Sequence, residues 1–228
     1  MANFRGHITT STITGLLYGG IGVNPLGMEP ATAILGGVAA TVGGLLPDLD
    51  CNNGYPVRGL FGVAASFVPL LLLQRLQYTS LNQEEVMLVL IGMYVFIRFG
   101  LKRFFNRLTV HRGMFHSVPA MLIVGLSIYL IYDSDDRQKK IFLGVGAMLG
   151  FLSHLILDEM YSVDFRGIKI RLNQYAGSAL KFTSKSFLAT TITYIILIGL
   201  SYLAYVDWQQ TRQRGLERPG ILRKQLSL

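Results

Sequence analysis

The chain has four histidines, His7, His111, His116 and His154, and all of them stand in short polar islands. The islands read Arg5-Gly6-His7, Leu46-Pro47-Asp48-Leu49-Asp50, His111-Arg112-Gly113-Met114-Phe115-His116-Ser117 and Ser153-His154-Leu155-Ile156-Leu157-Asp158. Imidazole and carboxylate are common side-chain ligands of zinc and related ions, so His7, Asp48, Asp50, His111, His116, His154 and Asp158 form a candidate metal set. His154 and Asp158 are four residues apart, which on a helix puts them on one face within reach of one ion. Asp48 and Asp50 follow a proline at a spacing of two; in extended chain they point the same way and could serve one ion or bridge two. His111 and His116 are five apart, a poor spacing for one helical face, and Gly113 permits the turn that their convergence needs. His7 alone is weak evidence, because a lone histidine at a helix start is more often a cap or an interface residue.

Seven candidates exceed the four ligands of a closed structural site and leave room for water and substrate. One to three divalent ions fit, with zinc matching the imidazole-rich mixture best and manganese or iron also accepted. Such an ion activates water near neutral pH and polarises a carbonyl or phosphoryl oxygen. Asp48 and Asp50 are the candidate catalytic carboxylates, at least one ligating and the other acting as general base. Arg112, or Arg5, could hold a substrate phosphate, because a guanidinium pairs bidentately with such oxygens. A Ser-His-Asp site built on Ser117 or Ser153 is disfavoured: neighbouring helix positions diverge, and no Gly-x-Ser-x-Gly elbow is present. Cys51, the single cysteine, excludes an intramolecular disulfide and reads as a small loop residue rather than a ligand.

The elements that must position these residues are apolar. Charged residues make up 15% of the chain, against roughly 25% in soluble domains. Hydrophobic residues reach 51%, and the mean hydropathy is positive. Uncharged apolar runs cover Ile8–Val23, Ala31–Leu46, Gly59–Leu73, Val86–Ile97, Val118–Tyr132, Ile141–Ser153 and Phe187–Val206. Only the last reaches the ~20 residues of a full span, but flanking Lys and Arg can extend the others by snorkelling. The pattern predicts an all-α, polytopic helical membrane protein with about six or seven membrane segments. A soluble bundle would have to hide too many such runs in 228 residues. The first run is not read as a signal peptide: Arg5 is its one preceding charge, Thr and Gly are frequent, and no clear cleavage motif precedes Pro25. Residues 1–208 are expected to form one membrane domain, with 209–228 a basic, flexible tail containing Pro219-Gly220. The polar stretch Glu159–Ser186 reads as a lid, a head-group contact or an amphipathic surface segment.

Counting crossings from His7 brings every candidate ligand to one face. The first run leaves that face and the second returns to Asp48 and Asp50. The third leaves and the fourth returns towards His111 and His116. The fifth leaves and the sixth returns to His154 and Asp158. The formal charge of +8 is concentrated in basic clusters, which in a membrane protein mark the cytoplasmic side and contact anionic head groups. Membrane lipids are therefore the expected partners. Nucleic acid is not expected, since no aromatic-interleaved or helix-turn-helix pattern accompanies the charge.

Taken together, Gly6-His7, the Leu46–Asp50 turn, the His111–Ser117 block and the Ser153–Asp158 block resemble the YdjM-type family of bacterial membrane-bound metal-dependent hydrolases. The resemblance covers about two thirds of the chain, from His7 to Asp158. It implies a multi-pass protein of the bacterial inner membrane and a hydrolase with these histidines and aspartates as metal ligands. The HxxxD element is also similar to one in zinc-dependent phospholipase C and related nucleases. The expectation is a membrane-bound metal-dependent hydrolase acting on a lipid or phosphoester at the interface. The alternative is a non-enzymatic membrane protein or ion transporter with a structural or transported metal. Transport would place ionisable residues in mid-span; here they gather at span ends.

Overall fold

Among the described residues, seven helices house the seven apolar runs. The computed structural model describes residues 4–50, 55–77, 79–101, 114, 116–161, 163–166, 169–172, 181–184 and 186–225. Among them the helices are α1 (Phe4–Val23), α2 (Pro30–Gly43), α3 (Tyr55–Gln77), α4 (Gln83–Val95), α5 (Val118–Ile131), α6 (Arg137–Met160) and α7 (Phe187–Gln225). A 3₁₀ turn, Leu46–Asp50, follows α2, and a π-helical segment, Phe96–Leu101, extends α4. Most helices exceed their uncharged runs because polar flanks join them. Asn82 and Glu85 open α4 with a reciprocal capping box. Ser117 caps α5 and Asp136 caps α6.

Among the described residues, three stretches, Pro30–Asp48, Arg137–Met160 and Phe187–Thr211, are long and apolar enough to cross a membrane. Phe61–Leu73 and Val118–Ile131 are shorter apolar helices. The apolar window of the α7 span contains no fully buried residue, and Leu188, Ile192, Ile195, Ile198 and Leu203 are all exposed. A helix apolar on every side suits a lipid environment.

The centre of the bundle is made by α1, α2 and α6, which approach closely because small residues line their contacts. A side chain on Gly150 of α6 would collide with the Ala40 carbonyl of α2, and one on Gly15 of α1 with the Gly37 carbonyl. Tyr18 and Phe142 stack at 4.5 Å between ring centroids, and the Tyr18 hydroxyl donates to the Phe142 carbonyl at 2.8 Å. This close contact sets the three helices in register, so that the ends bearing His7, the Pro47-Asp48 turn and His154 meet. α5 packs on α6, α7 on α5, and α3 pairs with α4 and its π-helical extension.

One feature departs from a purely helical expectation. Inside the polar insertion, β1 (Val163–Arg166) and β2 (Lys169–Leu172) form an antiparallel hairpin, with Val163 opposite Leu172 and Arg166 opposite Lys169. The insertion then returns to the site end of the bundle, where the Val118 amide donates to the Lys181 carbonyl at 3.1 Å. In addition, α7 continues through the basic tail to Gln225.

Candidate metal centre

Two helix ends and two connections bring the site together. His7 lies on the first turns of α1, Asp48 on the 3₁₀ turn, His116 just before α5, and His154 and Asp158 on the last turns of α6. The i,i+4 spacing of the last pair puts both on one face, as the sequence suggests. His7, His116, His154 and Asp158 are buried, and Asp48 is partly exposed. Of the expected ligands, His111 lies outside the described residues, as does the side chain of Asp50. Arg112 and Cys51 also lie outside them, whereas Arg5 is exposed.

Asp158 is the hub. Its Oδ1 is 3.2 Å from His7 Nε2, and its Oδ2 is 3.9 Å from both His116 Nε2 and His154 Nε2. His154 Nε2 also faces Asp48 Oδ1 at 3.5 Å. The rings of His7 and His154 stack at 3.8 Å, while His116 meets His154 edge-on at 5.6 Å. Two overlapping ligand groups result, His7 with His154 and Asp158, and Asp48 with His116 and His154. Within each group the ligand atoms lie within 4.8 Å of one another.

His154 is oriented by a contact that composition does not reveal. Its Nδ1 is 2.7 Å from the Gly44 carbonyl. A neutral ring making that contact donates from Nδ1, so the lone pair sits on Nε2 and faces the carboxylates. A metal-binding histidine typically donates its other nitrogen in this way. His154 Nε2 makes no hydrogen bond among the described residues and is sealed from solvent. A buried polar atom left in that condition is costly unless something satisfies it.

The separations suit an ion better than direct hydrogen bonds. N–O distances of 3.5 and 3.9 Å exceed hydrogen-bond range. Two ligands each ~2.1 Å from a tetrahedral ion stand about 3.4 Å apart. The donor set therefore fits a divalent cation: three imidazoles with two carboxylates to balance the charge. Because the Gly44 contact leaves His154 one nitrogen to offer, His154 can serve only one ion. Asp158 offers an oxygen to each side of the cluster and can bridge two.

Both serines of the rival nucleophilic reading have local roles. Ser117 Oγ donates to the Met114 carbonyl and accepts from the Ala120 amide as an N-cap. Ser153 Oγ donates back to the Gly150 carbonyl at 2.7 Å. The sequence reading missed Gly44 and Ser11. Ser11 lies one turn beyond His7 on the same face of α1, is fully buried, and packs against Gly44. Its spacing of four from His7 was the available signal; nothing in the residue type at position 44 foretells a carbonyl acceptor.

An all-helical membrane bundle with a buried histidine–aspartate cluster at one end defines the class. The family model described as YdjM inner membrane protein matches residues 1–214, and the chain belongs to that family. No curated protein and no solved structure matches the chain.

Proposed function

We propose that the protein is a metal-dependent hydrolase of the inner membrane, acting on a lipid or phosphoester at the interface. The observation that carries this reading is the cluster of partly exposed Asp48 with buried His116, His154 and Asp158, whose N–O separations of 3.5 and 3.9 Å suit ligands around an ion. Asp48, His116, His154 and Asp158 would hold one divalent ion, with zinc favoured by the imidazole content. His7 with the second Asp158 oxygen offers part of a neighbouring position. When bound, the ion acts as a Lewis acid on water and on a phosphoryl or carbonyl oxygen.

The chain's own groups divide the remaining work. Gly44 fixes the His154 ring, and Asp158 holds the three imidazoles around one carboxylate. Asp48 is the more exposed of the two described carboxylates, 14% against 5% for Asp158. Its carboxylate oxygen not taken by the ion would accept a proton from incoming water and return it to solvent. The burial of the other four ligands keeps bulk water from competing at the centre. The site's position at helix ends, with no comparable cluster at mid-span among the described residues, favours interfacial chemistry over transport.

The test is elemental analysis of detergent-purified protein, followed by a screen against phospholipids and phosphoesters with and without chelator. Stoichiometric divalent metal and chelator-sensitive hydrolysis are expected. A full metal complement with no hydrolysis across the screen would favour the structural-metal reading instead.

A further inference from the structure

The imidazoles of the metal centre face one another in two different ways. The rings of His7 and His154 are stacked, with centroids 3.8 Å apart and planes inclined by only 13°. An imidazole nitrogen offers its lone pair in the plane of the ring, pointing away from it. His7 Nε2 and His154 Nε2 approach the same carboxylate, at 3.2 Å from Asp158 Oδ1 and 3.9 Å from Oδ2. Lone pairs held in stacked, nearly parallel planes do not converge, whereas two ligands of one tetrahedral ion must point at a common centre. His116 is arranged otherwise. Its ring is inclined to that of His154 by 64°, and its Nε2 lies 3.9 Å from the same Oδ2. Those two planes cross, so His116 and His154 can share an ion that His7 and His154 cannot.

Asp158 has an oxygen for each position. Oδ2 faces His116 and His154, and Oδ1 faces His7. Oδ1 is sealed from solvent and makes no hydrogen bond among the described residues, so His7 Nε2, although close, is not aligned to donate to it. A buried carboxylate oxygen in that condition calls for a cation. Donors stacked at 3.8 Å would seat two ions at about the 3.5–4 Å spacing of two-metal sites. Ions so spaced stabilise both the attacking and the leaving oxygen of an in-line displacement.

We propose that the centre holds two divalent ions bridged by Asp158, one on Oδ2 with Asp48, His116 and His154, and a second on Oδ1 with His7. The second position rests on the metal-centre reading of the cluster and not on hydrolysis. The probe is Mn²⁺, added to the full-length, detergent-purified protein after stripping by chelator. Elemental analysis after removal of free metal should give two ions per chain in the wild type. It should give one in His7→Ala and one in His7→Gln, which keeps more of the side chain's bulk and polarity. Electron paramagnetic resonance should show a spin-coupled pair in the wild type and an isolated Mn²⁺ signal in both variants. The wild-type spectrum carries the test even where the variants fail to fold. One ion per chain with an isolated signal in the wild type would overturn the second position and leave a single-ion centre standing. Two ions retained in the His7 variants would overturn it as well, since His7 would then hold neither. A wild type that binds no Mn²⁺ and purifies without any other divalent metal would end the metal-centre reading itself, and the second position with it.

Discussion

At the residue scale, the cluster depends on one shared carboxylate and one shared imidazole. His154→Ala and Asp158→Ala each remove a ligand from both overlapping groups and should strip most bound metal; His116→Ala should lower it as well. Cys51→Ala should leave it unchanged. Elemental analysis of purified variants reads this directly, and full metal content in all three ligand variants would end the metal-site reading. Asp48→Asn and Asp50→Asn should each abolish hydrolysis, with metal lost in at least one of them; both retaining full activity would refute the assignment. Chelation should lower the thermal midpoint of the wild type, since an ion at a thousandfold excess over its dissociation constant contributes about 4 kcal/mol, and should barely move that of His154→Ala. Much of this centre was legible beforehand, because histidine and aspartate are rare enough in such a chain to stand out. His7, Asp48, His116, His154 and Asp158 were all singled out and do converge. The orientation of His154 was not legible, because its acceptor is a backbone carbonyl and any residue at position 44 has one.

At the element scale, small residues decide whether the ligands meet. Gly150 allows α6 to touch the backbone of α2 one turn before His154, and Gly44, at the end of α2, supplies the carbonyl to that histidine. Gly150→Leu must push the helices apart. Overpacking costs about 1–3 kcal/mol, occasionally more, and here the obstructing atoms are backbone that cannot rotate away. Lower thermal stability together with weakened metal binding is the expected result. Unchanged metal affinity would show that the α2–α6 contact does not position the site. Hydropathy revealed the helices, but it could not reveal this contact, since Gly and Ala are apolar wherever they point. The β1–β2 hairpin was hidden for a different reason: its strands are four residues each, carry charge, and show no apolar alternation long enough to distinguish them from a surface segment.

At the scale of the whole molecule, the path of α7 fixes which ends lie together. Near its start, Thr190 Oγ1 is 3.8 Å from Met114 Sδ, two residues before His116. Further along, Asp207 pairs at 2.5 Å with Lys140, which is fully buried near the start of α6. Lys140 and His154 are separated by about 21 Å along α6, so α7 runs from the site end to the opposite end. Removing one partner of a buried pair costs about 3–5 kcal/mol; Lys140→Met should therefore destabilise strongly, and the double variant with Asp207→Leu should recover much of the loss in thermal unfolding. The same path sends the basic tail to the face opposite the metal centre. By crossing count the site face holds twelve of the 21 basic residues, from Arg5 to Lys185, whereas the opposite face holds Arg75, Arg137, Lys139 and Lys140 plus the five of the tail. By the positive-inside rule this excess predicts a site on the cytoplasmic side, and Lys140, paired with Asp207, adds little to the other side. In a Cys51-free background, cysteines placed at Asn52 and Asn173 should resist an impermeant reagent in intact spheroplasts, while one at Ser227 should react. Labelling of both Asn52 and Asn173 positions would turn the site outward. Protection of all three would mean that α7 does not carry the tail across, against the separation of its Met114 and Lys140 contacts by most of a bilayer.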